Sequence, residues 1–374
     1  MKQTIRFGVI GYGFMGRTHA WGCRSLPFFY RDLPFSVELA AVASPSESSR
    51  RLAQAEAGFP VALADWRELI ARDDIDAVAI CTPNHLHREM LLAAIAAGKH
   101  IYCDKPLTVT AEEAAEVVRA LQGSRVTHQA VFNCRFFTSA IRARELVEEG
   151  RLGRITAFRA SYLHSGSLHP DKPMGWKQRE GGGVLLDLGS HALDLLSWLA
   201  GPAESVWGAA RVLYPERPLA DGSRATVTAE DHCLLTVRLR DGAIGTVEAS
   251  KIATGADDQL KVEIHGTKGA ILLDLSDADH LMFFDEANPE RPFGGERGFQ
   301  QIRTAQRYPA PAAFPPFKNS AGWLRSHAHC LYSFFQAVHE GKPASPSLLE
   351  AVEVQKVMDA VARSFASGVW EEVK

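Results

Sequence analysis

Asp187 and His191 stand four residues apart in Gly181-Gly182-Gly183-Val184-Leu185-Leu186-Asp187-Leu188-Gly189-Ser190-His191-Ala192-Leu193-Asp194, and the apolar spacing predicts a helix over 184–199. Residues four apart on a helix share one face, so the carboxylate and the imidazole point into one space, with Asp194 near it. An imidazole exchanges a proton near neutral pH, and an adjacent carboxylate favours its protonated form. Oxidising an alcohol needs such a base for the hydroxyl proton as a hydride leaves carbon. Lys105, in Cys103-Asp104-Lys105-Pro106-Leu107, follows a strand-like run and offers a donor for charge developing on a substrate oxygen. We expect His191 to be the principal acid/base, Lys105 the oxygen ligand and relay partner, and Asp187 the group that orients substrate or tunes the other two. The bland counterpart is that Asp187 and His191 brace their helix and Lys105 stands in a surface turn.

A second pattern lies near the start. Gly11-Tyr12-Gly13-Phe14-Met15-Gly16 follows the strand-like run Thr4 to Ile10 and opens a helix. The first glycine allows a tight turn, the second lets backbone approach a pyrophosphate, and the third lets helix and strand pack closely. Gly11, Gly13, Phe14, Met15 and Gly16 are therefore expected at a dinucleotide. The acid that would hold a ribose 2′-hydroxyl after the second strand is missing: Ala41-Val42-Ala43 ends at Ser44, with Arg50 and Arg51 a helical turn on. A hydroxyl and a guanidinium suit a 2′-phosphate, so the cofactor expectation is NADP(H) or NAD(H), leaning to NADP(H). Thr82, Pro83, Asn84 and His87 form a third cluster; they fit a place near the nicotinamide ribose or, equally, a cap on the helix beginning near Leu86, with Asn84 as N-cap.

The elements that must position these groups follow from periodicity. Ile5–Ile10, Val37–Ala43, Val61–Leu63, Ala77–Cys81, His100–Cys103 and Val126–Val131 read as strands. Met15–Leu26, Glu47–Ala57, Trp66–Ala71, Leu86–Ala97 and Ala111–Leu121 read as helices between them. That alternation implies a doubly wound, Rossmann-type parallel sheet over 1–132. Beyond it, Ile155–His164, Ser205–Val212, Asp231–Arg240, Ile244–Lys251 and Leu260–Asp274 alternate apolar and polar, with tight turns at Arg240-Asp241-Gly242 and His265–Gly269. With helices at Thr138–Glu149, Val184–Leu199 and Leu348–Ala366, they describe an α+β domain with a large, mainly antiparallel open sheet over 133–374, whose last helix packs back on the first domain. The expected fold class is α/β. Pro27–Pro34 reads as an aromatic insertion that meets substrate or another subunit, and Asn288–Ser320 as a long loop.

At 374 residues the chain is too long for one ordinary core. A formal charge of -3 gives no surplus for a nucleic-acid backbone. No apolar run of about 18 residues predicts a membrane span, and Met1-Lys2-Gln3 leads straight into strand with no signal peptide, so a cytoplasmic protein is expected. Six scattered cysteines suit a reducing compartment. His85 with His87, and His327 with His329, are two apart and diverge on a helix, so no metal is expected.

Together, the glycine turn, Thr82-Pro83-Asn84-His85-Leu86-His87, Asp104-Lys105-Pro106 and the run Gly181–Asp194 resemble the glucose–fructose oxidoreductase, inositol dehydrogenase and MocA family, over essentially the whole chain. Asp104 stands where the family usually has glutamate. The resemblance implies NAD(P)-dependent hydride transfer to or from a carbon of a sugar, polyol or inositol-like substrate. It also implies a catalytic group of Lys105, Asp187 and His191, a cis Lys105–Pro106 peptide, and a structural place for Arg135 near the domain junction. Glycoside hydrolysis by transient oxidation and a non-catalytic dinucleotide-binding regulator are its alternatives. His169 and Trp176, in the segment before the glycine run, are expected to line a sugar pocket; substrate choice would sit in loops 164–180 and 288–320. An exposed apolar sheet face needs covering, and relatives pair sheets, so a homodimer or homotetramer is expected.

Overall fold

The computed structural model describes residues 2–179 and 181–374; Met1 and Glu180, at the ends of two segments named above, lie outside the described residues. The chain forms two compact units. One comprises residues up to Phe136 with Tyr308–Pro316 and Gly322–Glu353; the other comprises Phe137–Arg307, Phe317–Ala321 and Val354–Lys374.

The first unit is built on β1 (Gln3–Ile10), β2 (Phe35–Ala43), β3 (Val61–Leu63), β4 (Ala77–Ile80), β5 (His100–Cys103) and β6 (His128–Ala130), in the order β3-β2-β1-β4-β5-β6. Every pairing is parallel. β4 is apolar throughout, and the last four residues of β1 and the last three of β5 are apolar and buried, because both faces are covered there. The connecting helices are α1 (Phe14–Phe29), α2 (Glu47–Ala57), α3 (Trp66–Ile70), α4 (His87–Ala96) and α5 (Ala111–Leu121). The doubly wound sheet read from the sequence is the one observed.

Two features depart from the reading. α1 runs through Pro27 to Phe29, so a helix reaches into the supposed insertion; Tyr30 and Leu33 are buried in the core, while Pro27, Phe28, Arg31, Asp32 and Pro34 are exposed. The segment after residue 320 supplies α8 (Trp323–Glu340) to this first unit, where Phe334 and Phe335 pack on Phe7 and Tyr102.

In the second unit, α6 (Thr138–Glu148) and α7 (Ser190–Ala200) pack on strands of one nine-stranded sheet. Its strands are β7 (Ile155–Leu163), β8 (Ala203–Arg211), β11 (His232–Leu239), β12 (Ile244–Ser250), β13 (Gln259–Gly266), β14 (Gly269–Asp274), β15 (His280–Asp285), β16 (Gln300–Arg303) and β17 (Glu371–Glu372). Only the β7–β12 pair is parallel. A small hairpin, β9 (Glu216–Pro218) with β10 (Arg224–Thr226), stands apart. β16 lies inside the stretch expected to be one long loop. α9 (Leu348–Ser367) has its residues through Glu353 in the first unit and the rest in the second.

The open face of the large sheet corrects the expectation of an apolar surface. Arg159 pairs with Glu263 at 3.2 Å and Lys261 with Asp274 at 3.1 Å, and Thr236, Arg238, Thr246 and Glu248 share that face. Leu234 and Ile244 are its exposed apolar residues on β11 and β12. No described helix is long and apolar enough to cross a membrane.

Candidate active site

In the first unit the candidates gather at the C-terminal ends of parallel strands, the side on which open sheets bind ligands. Gly11 has φ +91°, and a Cβ there would stand 2.7 Å from the Cys81 carbonyl oxygen. A Cβ on Gly16 would lie 2.1 Å from the Gly11 oxygen, whereas one on Gly13 would meet no protein atom within 4 Å. Gly13 is the N-cap of α1; no side chain caps that terminus and no acid occupies its first turn. The backbone N–H groups and the open side of Gly13 fit a pyrophosphate. Phe14 projects from this turn, largely exposed, and stacks on Trp323 at 5.4 Å; Met15 follows it as the second residue of the helix.

Ser44 directly follows β2 and is buried. The Arg50 guanidinium reaches back to it, donating from Nη1 to the carbonyls of Ser44 at 2.6 Å and Pro45 at 3.0 Å. Arg51 instead pairs with Glu47 at 2.5 Å, one turn back on an exposed helix face, which withdraws it from the phosphate expectation.

His87 is fully buried. Its Nδ1 faces the Pro106 carbonyl at 3.0 Å and its Nε2 the Thr82 carbonyl at 2.9 Å. Burial pushes its pKa down, opposed by those carbonyls. The ring therefore ties the loop after β4 to the loop that carries Lys105, a brace rather than a ligand contact. Asn84 opens a short 3-10 turn with its side chain buried and is not the N-cap of α4. Thr82 donates to the Met90 sulfur at 3.4 Å, and Pro83 caps the 3-10 turn.

Lys105 lies just beyond β5, half-buried, with a cis peptide to Pro106. Asp104 before it is held by His19, whose Nε2 is 2.8 Å from Oδ1; His19 comes from α1 and is completely buried against the edge of Tyr102. Cys81 brings its sulfur close to the same pair, so these three side chains place their ligand atoms within 4.8 Å of one another. The His19–Asp104 hydrogen bond accounts for that proximity, and burial followed by the Asp104 charge pushes the Cys81 thiol up. His85 is exposed while His87 is buried, so that pair diverges. Arg135 is buried and pairs with Glu350 at 2.7 Å, a structural role.

In the second unit, residues 185–189 form a π-helical turn that runs directly into α7. Such turns often mark functional sites; this one carries Asp187, and His191 stands four residues on, in the first turn of α7. His191 is buried, its ring 5.8 Å from that of Tyr162 on β7. The Asp187 carboxylate accepts from Lys177 Nζ at 2.9 and 2.8 Å and pairs with Lys251 Nζ at 3.1 Å. Asp194, expected near this face, is wholly buried. Trp176 is half-buried under Lys177, with Nζ 5.7 Å from its ring centre. His169 is exposed, and its carbonyl, not its ring, is engaged, by Arg217.

Lys177, Lys251 and Glu230 are residues that sequence reasoning missed. A signal existed for Lys251: it continues the inward register of Val247 and Ala249, so a strand's period of two buries it.

Two sequence comparisons decide the lineage. Residues 5–132 match the description "Oxidoreductase family, NAD-binding Rossmann fold", and residues 140–272 match "GFO/IDH/MocA C-terminal domain". The chain belongs to the Gfo/Idh/MocA oxidoreductase family. Among members of that family, levoglucosan dehydrogenase of Pseudarthrobacter phenanthrenivorans is 32% identical, covering 99% of this chain and 98% of that protein. Inositol 2-dehydrogenase of Rhizobium meliloti is 27% identical over 97% of this chain and 98% of its own length. A levoglucosan dehydrogenase solved with NADH and levoglucosan superposes with a TM-score of 0.94 at 32% identity, over 99% of this chain and 100% of that one. This family member is thus an oxidoreductase with an NAD-binding Rossmann domain.

Proposed function

We propose that this oxidoreductase interconverts an alcohol and a carbonyl on a sugar, polyol or inositol-like ring, with a nicotinamide dinucleotide as hydride partner. The observation that carries the reading is the cradle at Gly13, where the uncapped start of α1 offers N–H donors and no side chain closes the approach. The bound nicotinamide supplies or accepts the hydride. His191 takes the hydroxyl proton in oxidation and returns it in reduction. Lys105 donates to the substrate oxygen and stabilises its developing charge. Asp187, ionised between two ammonium groups, orients a neighbouring hydroxyl. Trp176, half-buried, offers an indole against which a sugar's apolar face could pack, and it is a better lining residue than the exposed His169. The named substrates of the similar proteins, levoglucosan and inositol, support this substrate class.

Cofactor choice rests on Arg50. Its guanidinium is already held at the Ser44–Pro45 turn, and its other donors suit a 2′-phosphate, so NADP(H) is accommodated alongside NAD(H). A cytoplasmic homodimer or homotetramer using the open sheet face completes the proposal; light scattering that finds only monomer overturns that part.

The test is a screen of levoglucosan, inositols, aldoses and polyols with NAD and NADP, followed at the nicotinamide absorbance. Lys105→Ala and His191→Ala should each lower turnover on the best substrate by about 10²- to 10⁴-fold while NADH affinity persists. Full activity in either variant removes the role given to that residue.

A further inference from the structure

We propose that Lys251 is a positioning residue of this enzyme: it fixes the Asp187 carboxylate and, with Glu230, locks the glycine run that leads into the π-helical turn. The inference rests on the reading of Asp187 as a substrate-orienting group.

Lys251 follows β12 and is buried to 4% exposure. Its Nζ reaches Asp187 Oδ2 at 3.1 Å and donates to the Gly183 carbonyl at 3.2 Å. Its backbone is pinned on both sides, by its N–H to the Asp231 carbonyl at 2.8 Å and by Ser167 N–H to its own carbonyl at 2.8 Å. The stem cannot swing away as a surface lysine's would. Glu230 closes the arrangement: its Oε1 accepts from the Leu185 N–H at 2.9 Å, and its backbone carbonyl accepts from Val184 N–H at 2.9 Å. Gly183, at φ +97°, has to be glycine, because a Cβ there would sit 2.4 Å from Glu230 Oε1.

Lys177 and Lys251 both face Asp187, and the Lys251 charge also reaches Glu230. Burial pushes the Lys251 ammonium down, with Asp187 the largest opposing influence, and pushes the Glu230 carboxyl up. His164, from the end of β7, feels both Lys251 and Asp187. Of the two lysines on Asp187, Lys177 is exposed on the short 3-10 turn Trp176–Gln178, while Lys251 is buried just beyond β12. Lys251 is therefore the fixed anchor and Lys177 the replaceable one. Removing a buried partner leaves an uncompensated charge, and Asp187 would be expected to turn toward Lys177 and solvent.

The experiment compares Lys251→Met, Lys251→Arg, Lys177→Ala and Asp187→Asn with wild type, using levoglucosan and myo-inositol with NAD, NADH affinity by fluorescence, melting temperature, and a crystal structure of Lys251→Met. Lys251→Met should lose on the order of 10²-fold in kcat, as misplacement of about 1 Å does, with NADH affinity unchanged. Lys251→Arg should recover most of that loss, and Lys177→Ala should cost little. In the Lys251→Met crystal the Asp187 carboxylate should leave its wild-type position. An unmoved Asp187 in the Lys251→Met crystal overturns the proposal. If Lys251→Met does not fold, a crystal structure and kcat of Lys251→Arg decide. Near-wild-type kcat with Asp187 in its wild-type position upholds the proposal, whereas a lost kcat with Asp187 unmoved, or a full kcat with Asp187 displaced, overturns it. Asp187→Asn separates the two levels: wild-type activity there refutes the functional reading, whereas an inactive Asp187→Asn beside a fully active Lys251→Met refutes this inference alone.

Discussion

Alanine placed at two glycines of one turn should produce opposite failures. At Gly13 the backbone is at φ -86° and ψ -154°, a conformation open to any residue, and an added Cβ meets no protein atom within 4 Å. An alanine N-cap costs at most about 1 kcal/mol, and restricting the unfolded chain returns about 0.4–1 kcal/mol. The melting temperature should therefore hardly move. The methyl group would stand where a pyrophosphate has to approach. Losing a single charge-assisted hydrogen bond of about 1.5–3 kcal/mol raises the NADH Kd roughly 10- to 150-fold. At Gly16 the added Cβ would sit 2.1 Å from the Gly11 oxygen, so helix or turn has to shift. Overpacking of that kind costs about 1–3 kcal/mol, which at roughly 2–4 °C per kcal/mol lowers the melting temperature by several degrees. Titration with NADH by fluorescence, beside thermal denaturation without it, reads both quantities. A Gly13→Ala variant that binds NADH within about twofold of wild type refutes the cradle, and a Gly16→Ala variant with unchanged melting refutes the packing argument.

Arg50→Ala should weaken NADPH binding more than NADH binding, while Arg51→Ala should leave both alone because its guanidinium is spent on Glu47; equal losses from Arg50→Ala remove its role in cofactor choice. Acid should destabilise the first unit through α8. Burial, then the Arg325 charge, lowers the His329 pKa to about 3, while the unfolded ring keeps an ordinary value. Between those values the unfolded state binds the extra proton, so stability is full above the unfolded pKa and falls as pH drops. At about pH 5 this one residue accounts for roughly 2 kcal/mol. Urea unfolding of His329→Gln should show an acid loss smaller by about that amount, and identical losses in both proteins count against it.

The parallel sheet was legible because β4 is apolar throughout and β1 and β2 end in the apolar runs 7–10 and 39–43, and the glycine turn sits where such a sheet needs it. α8 was not legible as a helix. Ala328, Leu331, Phe334, Phe335 and Val338 recur on it at helical spacing, but Arg325, Ser326, His327 and His329 are buried beside them, polar residues that a sequence reading assigns to solvent. The Pro27–Pro34 stretch misled for the reverse reason: Pro27 signals a helix end, but so close to the terminus it removes only one backbone hydrogen bond, and α1 continues. At the site, residue types and spacing pointed to Asp187 and His191, and the chain's own geometry adds what spacing could not carry. The π turn, the two lysines on one carboxylate and the burial of His87 between two carbonyls depend on residues distant in sequence.

The hydrogen bond between His19 and Asp104 joins the helix that would receive the phosphates to the loop that carries Lys105. Anyone grafting a glycine turn and its helix from another dehydrogenase, in order to change coenzyme, would have to bring an imidazole three positions after the last glycine. Without it a sheltered carboxylate loses its hydrogen-bond partner beside Lys105, and a redesign aimed at the nucleotide would damage turnover instead.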